Sequence, residues 1–243
     1  DPRDYRNTLP PHMFPQWGFA LAPRTLMDLP YPIASAMNGG CRLEANEPLP
    51  VDEELQVSAQ LVDVDDNGSR AVLQQKVVTS TPSVEEGIVG HLFVVIPLGG
   101  SSDDSGEDED RTSSKNPQER DRVPADAREV ERWSVPDDAG LDFAKLTGDF
   151  NPLHWLSPYA KLSGFDNVIL HGFSTMARTY ESLKNVAFDG TDLDVLDVKF
   201  TKPLVLPAEV GIYVDDDNGV YVGDAPNEPN YMAGSYKLSE DGA

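Results

Sequence analysis

Two stretches of this chain carry the same order of apolar and turn residues, which restricts it to folds built from two like units. When Pro50 is superposed on Pro207, Cys41, Leu43, Leu49, Leu55 and Val57 fall on Val198, Phe200, Leu206, Ile212 and Val214. Each stretch then reaches an acidic run ending in Asn-Gly, Asp65-Asp66-Asn67-Gly68 and Asp216-Asp217-Asn218-Gly219, the residues of a tight β-hairpin turn. The pattern reads as an internal duplication. Asn67-Gly68-Ser69 also matches a glycosylation acceptor, but the turn accounts for it without a secretory setting.

Leu196, Val198 and Phe200 alternate with Asp197 and Lys199, and Val210, Ile212 and Val214 repeat the period, so both segments read as half-buried strands. Leu55, Val57, Ala59 and Leu61, with the apolar run from Ile88 to Ile96, make the first lobe mostly sheet as well. A helix precedes the strands of each lobe. Phe173, Met176, Ala177, Tyr180 and Leu183 mark one apolar helical face in the second lobe, and Phe14 to Leu29 is its counterpart in the first, disturbed by Pro15 and Pro23. One helix against an antiparallel sheet, twice, is an α+β architecture.

Between the lobes, Gly99 to Asp110 is built from Gly, Ser, Asp and Glu, and the chain stays polar through Arg122. Too few apolar groups are present to offset the entropy of ordering it, so the segment reads as an acidic flexible linker. The expected division is a first lobe over 1–98, a linker over 99–128 and a second lobe over 129–243.

Among 243 residues, 42 acidic against 19 basic side chains give a net charge of -23, which repels a phosphate backbone and argues against nucleic acid as a partner. No apolar run approaches the roughly 20 residues that span a bilayer, so no membrane partner is expected. The single cysteine, Cys41, has no disulfide partner and points to a reducing, intracellular setting, with peroxisome, mitochondrion and cytoplasm not distinguished. Asp1 is not an initiator methionine, so the numbering is expected to start inside a longer natural chain.

The segment from Asp138 to Gly172 carries the chemistry. Asp138 is placed to cap a short helix through Leu141, Phe143, Ala144 and Leu146, with Gly148 as its stop; Ser157 and Pro158 are placed to open a second, ended by Gly164. Pro152 biases Asn151 toward an extended conformation, so Asp149 to His154 is a constrained loop between two helices. A carboxylate and an imidazole on one such loop can converge on a water molecule, one accepting a proton while the other donates. His12 and His91 read as structural or exposed, and His171 as a packed residue at a helix start. Four histidines without clustered carboxylates give no metal-binding spacing, and neither a metal nor another cofactor is expected.

The run Leu146-Thr147-Gly148-Asp149-Phe150-Asn151-Pro152-Leu153-His154 resembles the Gly-Asp-x-Asn-Pro-x-His motif of the MaoC-like (R)-specific enoyl-CoA hydratase and 3-hydroxyacyl thioester dehydratase family. Gly164-Phe165 and Leu170-His171-Gly172 match as well. The resemblance implies a hot-dog fold, a curled antiparallel sheet wrapped around one long helix, here in tandem, because the first lobe lacks the motif as the non-catalytic half of fused members does. It implies reversible hydration of trans-2-enoyl thioesters, with Asp149 and His154 activating water, Asn151 fixing the loop and the N–H of Gly172 binding the thioester carbonyl. Asp149 is expected to take the water proton and His154 to deliver the proton to C2.

Phe173 and Met176, with Tyr180, are candidates to line an acyl tunnel. Lys161 and Lys199, with Arg178 and Lys202, are candidates to meet the phosphates of coenzyme A. The expected partner is an acyl-CoA or acyl carrier protein thioester, and the resemblance allows pairing into a homodimer. Two rivals are an acyl-CoA thioesterase on the same fold and a non-enzymatic acyl-binding or scaffold subunit.

Overall fold

A computed structural model describes residue 5, residues 7–98 and residues 122–239. Its centre is one nine-stranded antiparallel sheet: β1 (Met37–Ala45), β2 (Gln56–Asp66), β3 (Arg70–Ser80), β4 (Ile88–Pro97), β5 (Arg128–Val135), β6 (Leu193–Phe200), β7 (Ala208–Val214), β8 (Gly219–Gly223) and β9 (Asn230–Leu238), in spatial order β2-β3-β4-β1-β6-β9-β8-β7-β5. Reading outward from the middle, β1-β4-β3-β2 mirrors β6-β9-β8-β7. The two like units therefore meet strand to strand. Cys41 pairs with Val198 and Leu43 with Leu196 across that seam, all four buried in one shared core.

Alternation decides which face each strand buries. On β3, Ala71, Leu73, Gln75, Val77 and Thr79 point inward while their neighbours are only partly covered, and on β6 Leu196 and Val198 are buried while Lys199 is exposed. Both hairpins form where Asn-Gly stands. Asp66 and Asn67 accept the N–H groups of Gly68 and Ser69 in the β2–β3 turn, and Asp215 accepts those of Asp217 and Gly219 in the β7–β8 turn.

Among the described residues four α-helical segments join the sheet: α1 (Pro15–Gly18), α2 (Ala139–Thr147), α3 (Ser157–Leu162) and α4 (Gly172–Ser182), the last running into a π turn over Leu183–Ala187. α4 is the helix that the second unit wraps. Phe173, Met176, Tyr180 and Leu183 are at most 5% exposed, along the face that their spacing marks.

The first unit departs from its expected helix. Phe14 to Leu29 holds only the single turn of α1 and a 3-10 turn over Ala22–Leu26, because Pro15 and Pro23 each occupy the opening of a turn, where a missing N–H is tolerated, and block continuation through it. Its sheet thus encloses short turns instead of a long helix.

Of the expected linker, residues 99–121 lie outside the described residues. Packed backbone is present from Arg122, which bridges to Pro229, and Val123 and Ala127 are buried against Tyr213. Among the described residues no helix is long and apolar enough to cross a membrane.

Candidate active site

The loop after α2 assembles the site. Gly148 ends α2 in the left-handed conformation at φ 80°, and Asp149 follows immediately. Asp138 occupies the N-cap position of α2 but its side chain makes no capping bond; for α3 the cap is Leu156, one residue before the expected Ser157. Asn151 accepts the N–H of Leu153 at 3.2 Å and so caps a 3-10 turn over Pro152–His154, while its own N–H donates to Asp149 Oδ1 at 3.3 Å. The turn aims His154 inward. Gly140 packs on the backbone of His154, and a Cβ there would overlap the His154 carbonyl oxygen.

His154 and His171 stack face to face, ring centroids 3.5 Å apart and planes 25° from parallel. His154 Nδ1 lies 2.8 Å from the carbonyl oxygen of Ile169. A carbonyl only accepts, so Nδ1 carries the hydrogen and the neutral ring keeps a lone pair on Nε2. By the same reasoning His171 Nε2 donates to the backbone oxygen of Asp149 at 3.1 Å, and it also lies 3.7 Å from Asp149 Oδ2. A nitrogen of each imidazole and a carboxylate oxygen of Asp149 lie within 4.8 Å of one another. Burial lowers the pKa of His154; burial, reinforced by the neighbouring His154, lowers that of His171 to about 4. Both rings are neutral near neutral pH.

This convergence corrects the expectation of no metal-like cluster, since three donor residues do gather. Their geometry nevertheless suits a proton relay better than an ion. Lone pairs lie in the ring planes, and near-parallel stacked planes do not direct two nitrogens to one point at the roughly 2.0 Å that zinc or a similar ion requires.

Gly172 opens α4 directly after His171, and the first N–H groups of a helix have no intrahelical acceptor. A Cβ at Gly172 would come within 2.8 Å of the Phe200 ring, so the close approach of β6 to the helix start requires glycine.

A cavity of about 370 Å³ reaches this loop and is lined by both units: Gly148, Asp149 and Phe173 from the second, with Phe19, Leu26 and Leu92 among those from the first. Phe173 packs edge-on against Phe19, centroids 5.0 Å apart. Met176 is 0% exposed and belongs to the core, away from the cavity lining. Lys161 is exposed on α3, and Lys199 is exposed on the face of β6 opposite Val198 and Phe200, so neither reaches the cavity. Sequence reasoning missed two contributors. His171 stands in direct contact with both acid/base candidates, and the first unit supplies most of the cavity wall; the prolines that break its helix were the available signal for the second.

Residues 114–224 match the family model described as the MaoC like domain. The 3-hydroxyacyl-thioester dehydratase X of Mycobacterium tuberculosis is 40% identical over 77 residues, 32% of this chain and 26% of that protein. The peroxisomal multifunctional enzyme type 2 of Mus musculus is 29% identical over 210 residues, 78% of this chain and 26% of that protein. The chain thus spans about a quarter of the length of each of these relatives. Among solved structures, HtdX of Mycobacterium tuberculosis superposes with a TM-score of 0.70 at 18% identity, covering 98% of this chain and 96% of that one. A further Mycobacterium tuberculosis protein, described as a double hotdog fold, superposes at 0.54 with 11% identity, covering 96% and 82%. Two tandem hot-dog units are the fold of this chain.

Proposed function

Because residues 114–224 match the MaoC like domain model, we propose that the second unit hydrates trans-2-enoyl thioesters reversibly to (R)-3-hydroxyacyl thioesters, with Asp149 and His154 holding the reacting water. The observation that carries this reading is the orientation of His154. Its Nδ1–H is committed to the Ile169 carbonyl, which leaves Nε2 as the ring's acceptor, on a ring that stacks on His171 and has a nitrogen within 4.8 Å of the Asp149 carboxylate.

Two acceptors fit the two hydrogens of one water. In hydration, the water oxygen bonds to C3 of the enoyl group, one water proton passes to His154 Nε2, and the C2–C3 π pair moves to give an enolate. The enolate oxygen lies against the N–H of Gly172, where the positive end of α4 favours negative charge. The imidazolium, stabilised by the Asp149 carboxylate, then returns its proton to C2, and the site is restored. This assignment differs from the expected division of labour, in which Asp149 took the water proton, because a neutral ring in this tautomer has no proton of its own to deliver from Nε2.

Hydration of the enoyl group then depends on one residue shuttling a single proton, and Asp149 orients the water and stabilises the charged intermediate. The cavity reaching Asp149 and Phe173 supplies room for the acyl chain. Incubating the protein with crotonyl-CoA tests the reading. Loss of enoyl absorbance with no release of free thiol is expected. Thiol release would instead make the protein a thioesterase, and no change with any enoyl thioester would leave only an acyl-binding role.

A further inference from the structure

We propose that the cavity receives an acyl chain bearing a hydrogen-bond donor, such as a hydroxyl, remote from its thioester, and that the side-chain oxygen of Gln75 accepts it. The inference rests on the hydration reading above and names the substrate class of that site.

Gln75 breaks the apolar alternation of β3. It stands between the inward-facing Leu73 and Val77, is 2% exposed and lines the cavity. A plain hydrocarbon pocket has no use for an amide there, so the bonding of each of its atoms matters. The amide nitrogen donates to the carbonyl oxygen of Ala22 and, at 2.6 Å, to Thr25 Oγ1. Thr25 spends its own hydroxyl hydrogen on the same Ala22 carbonyl at 2.9 Å, so toward Gln75 it acts as acceptor.

Both amide hydrogens are therefore used, and because the Ala22 carbonyl only accepts, the amide cannot be turned end for end. Oε1 is left over. Among the described residues no donor reaches it, and it is not one of the sealed polar atoms without a partner, which are His12 Nδ1, His171 Nδ1, Thr179 Oγ1 and Asn230 Nδ2. With the amide nitrogen committed to Ala22 and Thr25, Oε1 is the polar atom that Gln75 has to offer to the cavity it lines.

The turn that holds Gln75 in place is the one that interrupts the first unit's helix at Pro23. An unbranched hydrocarbon chain seated against Oε1 strips its water and leaves an acceptor unpaired, whereas a hydroxyl at that depth satisfies it. A site built to bond a substrate hydroxyl discriminates against the analogue lacking it far more strongly than a hydrophobic pocket rejects a change of one methylene.

The test uses the full chain and pairs of trans-2-octenoyl-, decenoyl- and dodecenoyl-CoA, each plain and each carrying a terminal hydroxyl. For at least one length, kcat/KM is expected to favour the hydroxylated member by roughly tenfold or more. The Gln75→Met variant is expected to bring that ratio close to one. The wild-type ratios alone decide the matter if the variant fails to fold. Turnover of plain chains with no preference for the hydroxyl at any length, or a preference that survives Gln75→Met, overturns this inference and leaves the hydration reading standing. Failure to turn over any of the six thioesters overturns this inference, and failure on crotonyl-CoA as well overturns both.

Discussion

His154 and His171 lie ring on ring, 3.5 Å between centroids, with the Asp149 carboxylate at the edge of the pair. Two imidazolium ions cannot share that stack, so the pair takes up at most one proton beyond its two neutral rings and carries at most one positive charge. Burial already disfavours the charged form of each. A base that must be neutral to act is then available below the ordinary histidine value. The acid limb of kcat/KM for hydration is expected to have its midpoint below 6.5, the ordinary histidine value, with activity lost as pH falls through it. A midpoint above neutrality in the pH-rate profile contradicts this.

Gly140 and His154 meet backbone to backbone, and no methyl group fits between them. Gly140→Ala is expected to displace the turn over Pro152–His154. The change stabilises α2 slightly through propensity but overpacks the contact, for a net loss of about 1–3 kcal/mol. Turnover is expected to fall by more than tenfold while KM changes little, read from steady-state kinetics alongside a urea melt.

The cavity wall contributed by the first unit sets how much acyl chain enters. Leu26 is 5% exposed at that wall. Leu26→Trp is expected to lower kcat/KM for dodecenoyl-CoA by roughly tenfold while leaving crotonyl-CoA within about twofold, since a short chain stays near Asp149. Equal losses on both substrates would place the acyl chain elsewhere.

His12 is buried beside Tyr180 and Glu181, and desolvation lowers its pKa to about 4 against the nearby carboxylate's opposing pull. The unfolded chain titrates near 6.5. Between those values the unfolded state binds a proton that the folded state does not, so stability falls as pH drops from about 6.5 to about 4. The loss is at most on the order of 3 kcal/mol from this group. His12→Gln is expected to flatten that part of the stability profile, measured by urea unfolding at about pH 7 and about pH 5. An unchanged slope would show that His12 is not a source of the pH dependence.

The sheet was legible because its information is local. A period of two places Leu196 and Val198 on one face, and Asn-Gly fixes where each hairpin turns. The catalytic loop was legible for the same reason, since Asp149, Asn151, Pro152 and His154 constrain one another within six positions. What sequence did not give depends on contacts made across the fold. His171 comes onto Asp149 only because Ile169 bridges to Val205 and Leu170 donates to the Leu204 carbonyl, pinning the chain ahead of α4. The broken helix of the first unit was foreshadowed by Pro15 and Pro23, but its consequence, a turn held by Gln75 at a cavity wall, follows only from where β3 lies. Met176 reads as tunnel or core on spacing alone, and in the fold it is fully buried in the same core cluster as Phe173.

The most direct measurement is hydration of crotonyl-CoA by Asp149→Asn and His154→Ala, each compared with the unaltered chain at equal folded fraction by circular dichroism. Both side chains sit at a partly open loop, so neither change removes core packing. Turnover is expected to drop by roughly a hundredfold or more in each, with the fold intact. Unaltered rates in both variants would contradict a shared water held between that carboxylate and that imidazole.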